Sequence, residues 1–180
     1  MDDFAFQRFF SALALLALVG AAGLLAARLL RHRLVPAAAL ADSFGHFRLE
    51  AALLVAAVAT AGSLYMSEVA HYRPCHLCWI QRGFMYPLVV VLALAVWRKA
   101  TGVRRFVVPW AILGLGVSTY HYLLEWFPEQ LETNVCDIEV PCSAFPFRLW
   151  SFVTLPFMAG CGFLFIISVL LLPLETRRNP

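Results

Sequence analysis

The residues best suited to chemistry are Cys75 and Cys78, in the run Pro74-Cys75-His76-Leu77-Cys78-Trp79-Ile80-Gln81-Arg82. A CxxC pair holds two thiols close enough to form or break a disulfide. A helix starting at the second Cys points its positive end at the sulfur, and a nearby cation adds to that field. Both effects lower a thiol pKa and favour a reactive thiolate at neutral pH. Arg82 follows Cys78 by four residues and shares its helical face. A second pair, Cys136 and Cys142, lies in an acidic stretch with Glu125, Glu129, Glu132, Asp137 and Glu139. Acids beside a Cys raise its thiol pKa, so this pair is expected to be less thiolate-rich than Cys78. A disulfide closing so short a loop is feasible but constrained. The fifth cysteine, Cys161, reads as a small buried residue.

The elements that must position these thiols are apolar. Of 180 residues, 62% are hydrophobic and 14% charged, where a soluble domain carries about a quarter charged residues. Runs of about 20 apolar residues read as membrane-spanning helices. Five fit, at roughly 9–27, 49–67, 79–97, 106–124 and 152–172. They leave no room for a separate soluble domain. The expected fold is an all-α membrane protein: a four-transmembrane-helix bundle core over 48–180, preceded by one extra N-terminal transmembrane helix and a cytoplasmic linker over 1–47.

Charge then orients the helices. Ten of the fourteen basic residues flank the first and third connections or follow the last helix: Arg28, Arg31, Arg33, Arg48, Arg98, Lys99, Arg104, Arg105, Arg177 and Arg178. Only Arg8, Arg73, Arg82 and Arg148 fall on the other side. The positive-inside bias puts the first and third loops and the C-terminus in the cytoplasm. Cys75, Cys78, Cys136 and Cys142 then all face the oxidising side, where disulfides persist.

In chain order, Asp2, Asp3 and Arg8 match a cationic signal-peptide start poorly, and four basic residues or histidines separate the apolar run from Ala37-Ala38-Ala39. A retained helix is expected rather than a cleaved signal. Gly62 and Ser63 allow close helix contact near the outer end of the second helix. Glu50, Glu68 and His71 read as interfacial polar residues. Arg82 lies about one turn inside the membrane edge, where its insertion cost favours either a role facing the bundle or a lipid-headgroup anchor; Gln81 is a weaker case of the same kind. Pro87 is expected to kink its helix. Tyr120-His121-Tyr122 and Trp126 resemble an interfacial aromatic belt. His121 approaches the same surface as the CxxC, either as a polar ligand contact or as a belt histidine. A metal role is not expected for it, since no His or Cys partners recur at ligand spacing. Ala144 to Trp150 is aromatic enough to lie in the interface. No Gly-rich phosphate loop and no basic stripe for nucleic acid is present.

Two dithiol pairs on one membrane face allow electrons to pass by thiol–disulfide exchange. Such a relay needs a terminal acceptor, and a lipid-soluble quinone suits a site bounded by apolar helices. Arg82 and His121 could hydrogen-bond its oxygens and stabilise the charge that develops on reduction. Two other readings carry weight. One is a non-catalytic membrane scaffold stapled by two loop disulfides. The other is metal binding by the four outer thiols, against which count the loose spacing and the oxidising compartment. Haem attachment fails because Trp79, not His, follows Cys78.

Over about residues 48–173 the chain resembles the DsbB family, the disulfide bond formation protein B of bacterial inner membranes. The resemblance rests on Pro74-Cys75-x-x-Cys78-x-x-x-Arg82 opening a helix, Tyr120-His121 ending the next, and the second Cys pair before the last. Val140-Pro141-Cys142 and Phe152-Val153-Thr154-Leu155-Pro156-Phe157 look like the branch with a closely spaced second pair. The vitamin K epoxide reductase family, similar in chemistry, places its loop pair before the CxxC; this chain does the reverse. The resemblance implies a quinone, ubiquinone or menaquinone, and a DsbA-like thioredoxin-fold partner, the chain of components that keeps the bacterial periplasm oxidising. It further implies that Cys136 forms the mixed disulfide with that partner, that Cys142 exchanges with Cys75, and that Cys78 faces the quinone beside Arg82. Two features depart from the pattern: the extra helix, and Gln81 where an acid often precedes the Arg.

Overall fold

In lipid a segment must satisfy its own backbone hydrogen bonds, so the apolar runs fold as helices. The computed structural model describes residues 3–30, 33, 43–131, 136, 141–142 and 148–172. Its helices are α1 (Asp3–Leu30), α2 (Arg48–Glu68), α3 (His76–Trp97), α4 (Arg104–Trp126), the short α5 (Pro128–Leu131) and α6 (Leu155–Leu170). Among the described residues there is no strand beyond one isolated bridge between Leu149 and Val153. The expected all-α membrane architecture holds. Most of the first linker, the acids Glu132, Asp137 and Glu139, the run 144–147, and Arg177 and Arg178 lie outside the described residues.

Four of the five expected spans, α1 to α4, are long and apolar enough to cross a membrane; α6 is shorter. Its 16 residues rise only about 24 Å. It begins at Leu155 rather than near 152. The Leu149–Val153 bridge and extended Thr154 come first, and Pro156 then occupies the first turn, where its missing N–H costs nothing. The shortness matches its place. Packed against α1, α2 and α4, α6 is buried nearly all round, with Phe163, Ile166, Val169 and Leu170 fully enclosed, as expected of a helix without a polar face.

The extra helix α1 is an integral part of this packing. Ser11, Ala14, Ala21, Leu24 and Ala27 form its buried stripe; small residues in such a stripe let backbones approach. Gly20 admits the Phe165 ring, and Gly62 of α2 admits the ring of Phe10, which would collide with any added Cβ. At one end of the bundle Arg28 donates to the Leu171 carbonyl, and buried Arg48 donates to the Leu172 carbonyl at 3.3 Å. At the other end Phe6 stacks on Tyr65 and Gln7 donates to the Tyr72 hydroxyl. Successive long helices therefore alternate in direction, and the links before α3 and after α4 share one end.

Candidate redox site

That shared end holds the cysteines. Cys75, Cys78, Cys136 and Cys142 belong to one packed cluster with Leu77 and Leu124, closed by Ile80, Val117 and Tyr120. Cys136 and Cys142 are disulfide-bonded, with Cα atoms 5.7 Å apart, while Cys75 and Cys78 are free. Cys142 is 1% exposed and packs in the same cluster as the first pair rather than in solvent. One oxidised and one reduced pair thus sit side by side.

The helix carrying the first pair begins at His76, two residues earlier than expected, because Cys75 caps it. The Cys78 N–H donates to the Cys75 sulfur at 3.3 Å. The positive end of α3 is therefore aimed at Cys75. The two sulfurs approach to 2.7 Å. Cys75 Sγ also lies 3.7 Å from His121 Nε2. Its thiol is held below the ordinary value, first by the hydrogen bond from Cys78 and then by His121, against an opposing burial effect.

His121 is buried near the end of α4 and uses both ring nitrogens. Nε2 lies 3.1 Å from the Cys142 carbonyl and Nδ1 lies 2.8 Å from Gln81 Nε2. A carbonyl only accepts, so Nε2 carries the proton and Nδ1 accepts from the Gln81 amide. The imidazole is thereby locked as a donor toward Cys142 and Cys75. Gln81, itself buried, fixes the tautomer. The belt reading of His121 gives way to a contact that joins the two cysteine pairs.

The expectation that no Cys approaches His121 at ligand spacing is corrected: ligand atoms of Cys75, Cys78 and His121 lie within 4.8 Å of one another. The helix cap, not the sequence spacing, brings them together. Both imidazole nitrogens are already engaged, however, and no fourth ligand joins them among the described residues. Structural zinc takes four.

Arg82 faces the bundle rather than headgroups. Its Nε donates to Ser63 Oγ at 2.9 Å and its Nη2 to the Ser63 carbonyl at 2.8 Å, with the guanidinium over the Trp79 ring. Ser63, read only as a small contact residue, anchors this cation. Glu125 is the other residue that sequence reasoning misplaced. It belongs to the last turn of α4, not the acidic loop; it is 4% exposed, and its Oε2 has no hydrogen-bond partner. Its position four residues after His121 was the available signal. By contrast, Glu68 and His71 are exposed and Cys161 is buried, as expected.

A cavity of about 610 Å³ opens beside the thiols. Cys75, Cys78, Arg82, His121 and Glu125 line one end, and Leu13, Leu54, Val58 and Phe165 line the other. Vicinal thiols, a neighbouring disulfide and a membrane-embedded pocket together define a membrane dithiol–disulfide oxidoreductase. The family model described as Disulfide bond formation protein DsbB matches residues 46–172. The chain belongs to that family. It is 42% identical over 119 residues to Disulfide bond formation protein C of Bacillus subtilis, covering 66% of this chain and 86% of the relative. A probable disulfide formation protein of Deinococcus radiodurans is 39% identical over 142 residues, covering 74% and 92%. One from Coxiella burnetii is 40% identical over 114 residues, covering 63% and 78%. No solved structure matches the chain.

Proposed function

We propose that this oxidoreductase reoxidises an extracytoplasmic thioredoxin-fold dithiol, of the DsbA kind, and delivers the electrons to a membrane quinone. The observation that carries the reading is the packing of an oxidised pair against a reduced pair, beside a cavity that reaches into the apolar bundle. The Cys136–Cys142 disulfide accepts two electrons from the partner dithiol through a mixed disulfide at Cys136, leaving the partner oxidised and this pair as two thiols. Cys142 then attacks the Cys75–Cys78 disulfide at Cys75, and the exchange transfers the dithiol state inward. Closing the Cys75–Cys78 bond again releases two electrons and two protons.

A quinone bound in the cavity supplies the sink for both. The residues present fit such a group: cationic Arg82 and the unpartnered Glu125 Oε2 gather at one end, with the His121 ring lining the cavity beside them, and apolar side chains continue from there. Ser63 fixes Arg82 at that end, so its charge is preorganised where negative charge develops. Gln81, through Nδ1, keeps the His121 proton on the sulfur side. The compartment is the bacterial inner membrane, with both pairs facing the periplasm and the C-terminus in the cytoplasm, as the basic residues imply.

A scaffold stapled by two loop disulfides fits less well, because it gives no role to a cavity lined by Cys75, Cys78 and Arg82. Purified protein with quinone should oxidise a reduced thioredoxin-fold dithiol repeatedly. Cys75→Ala and Cys136→Ala should each abolish turnover; undiminished turnover in either would reject the relay.

A further inference from the structure

The cavity is not bounded by the family core alone. We propose that α1, which lies wholly before the matched segment 46–172, is a working wall of the site: it converts the groove between α2 and α6 into a channel for a long apolar tail, and so selects quinones by tail. The inference rests on the quinone reading above.

The cavity lining carries it. Phe6, Phe10, Leu13, Ala14 and Ala17 of α1 face residues of α2 and α6 across the cavity. On α2 the lining runs from Leu54 to Met66, about 18 Å along the helix. That length exceeds what a ring needs and suits an amphiphile with a polar head and an extended chain. Polarity is graded along it. Ser63, Gln81, Arg82, Tyr86, His121 and Glu125 gather near the cysteines, while Leu13, Ala17, Leu54, Val58 and Phe165 line the remainder.

The wall is fixed at both ends and along its length. Gln7 bonds to Tyr72, Phe6 stacks on Tyr65, and Arg28 is tied to the Leu171 carbonyl. Ser11 and Ala21 are fully buried, and the ring of Phe10 closes over Gly62, where no other residue type leaves room for it as placed. A helix merely anchoring the chain to lipid would not need an aromatic inserted between itself and α2 at the level of Ser63, the residue that holds Arg82.

Ala17→Phe places a ring in the tail end of the channel, ten residues along α1 from Gln7 and away from both cysteine pairs. The test compares a benzoquinone bearing a single isoprenyl unit with one bearing a long polyisoprenyl chain. Equilibrium binding is read by quenching of tryptophan fluorescence, alongside steady-state kinetics in the full-length protein. Losing the burial of a few methylenes weakens binding by about tenfold or more. That loss is expected in both Kd and KM for the long-tailed quinone, with the short one within about twofold and stoichiometric exchange with the partner dithiol unchanged. Leu13→Ala, which widens the channel instead of blocking it, should fold normally and narrow the preference between the two tails. Equal effects on both quinones, or none on either, with wild-type turnover intact, would overturn the role of α1 alone. A wild-type protein that exchanges dithiols yet neither binds nor reduces either quinone would overturn the quinone reading, and this inference with it.

Discussion

Cys75 is the most heavily supported sulfur in the molecule. It receives the first-turn N–H of Cys78, touches the Cys78 sulfur and faces a protonated His121 Nε2. With its thiol pKa depressed, the reduced protein binds fewer protons than its unfolded chain over the interval between the folded and unfolded values. Its stability from this group is complete above the unfolded thiol value and is lost as pH falls through the folded one. Alkylation of the reduced protein, followed against pH, should show Cys75 reactive well below the ordinary thiol range. His121→Ala should move that profile upward, and an unmoved profile would remove His121 from the account. Arg82→Ala should raise the apparent KM for quinone by about tenfold or more, since hydrogen bonds from charged groups contribute roughly 1.5–3 kcal/mol. Single-turnover exchange with the partner should persist; an unaltered KM would contradict the role given to Arg82. At this scale the reactive types were legible. Cys75, Cys78, Arg82, Gln81 and His121 stand out because each is rare or costly at a membrane edge. Ser63 and Glu125 were not, since a serine in a helix and an acid near a loop have many ordinary reasons to be there.

At the scale of elements, the apolar runs predicted every long helix, and the differences came at the ends. Hydropathy has no access to a sulfur capping α3 or to the Leu149–Val153 bridge that delays α6. Nor does it reveal which helix is central; only packing shows that α6, the shortest of the five main helices, is surrounded by its neighbours. Two glycines test this packing. A Cβ at Gly114 would lie 2.5 Å from the ring of Phe163, which is fully enclosed and has nowhere to go. At Gly62 the obstructing ring belongs to Phe10, which is only half-buried. Gly114→Ala should therefore cost about 1–3 kcal/mol of stability, and Gly62→Ala distinctly less, as read by thermal unfolding in detergent. Equal losses would place the tight contact elsewhere than around α6.

For the whole molecule, alternation of helix direction gathers both cysteine pairs at one end, while Arg28 and Arg48 meet the end of α6 at the other. The basic-residue count predicted the same grouping from sequence, because charge asymmetry and helix alternation are two consequences of one threading through the bilayer. The seating of α1 in the wall of the cavity was not legible: its composition marks it as a membrane helix and says nothing of its neighbours. A membrane-impermeant thiol reagent applied to intact cells after mild reduction should reach Cys75 and Cys136 from the same side; labelling from opposite faces would undo the topology. The most direct test of the relay itself removes from each pair the thiol that takes no part in the exchange between pairs. In a protein carrying Cys78→Ser and Cys136→Ser, the account predicts that Cys75 and Cys142 join to each other under mild oxidation, seen as one linked peptide by mass spectrometry. Recovery of both as free thiols, in protein that remains folded, would contradict electron transfer between the pairs.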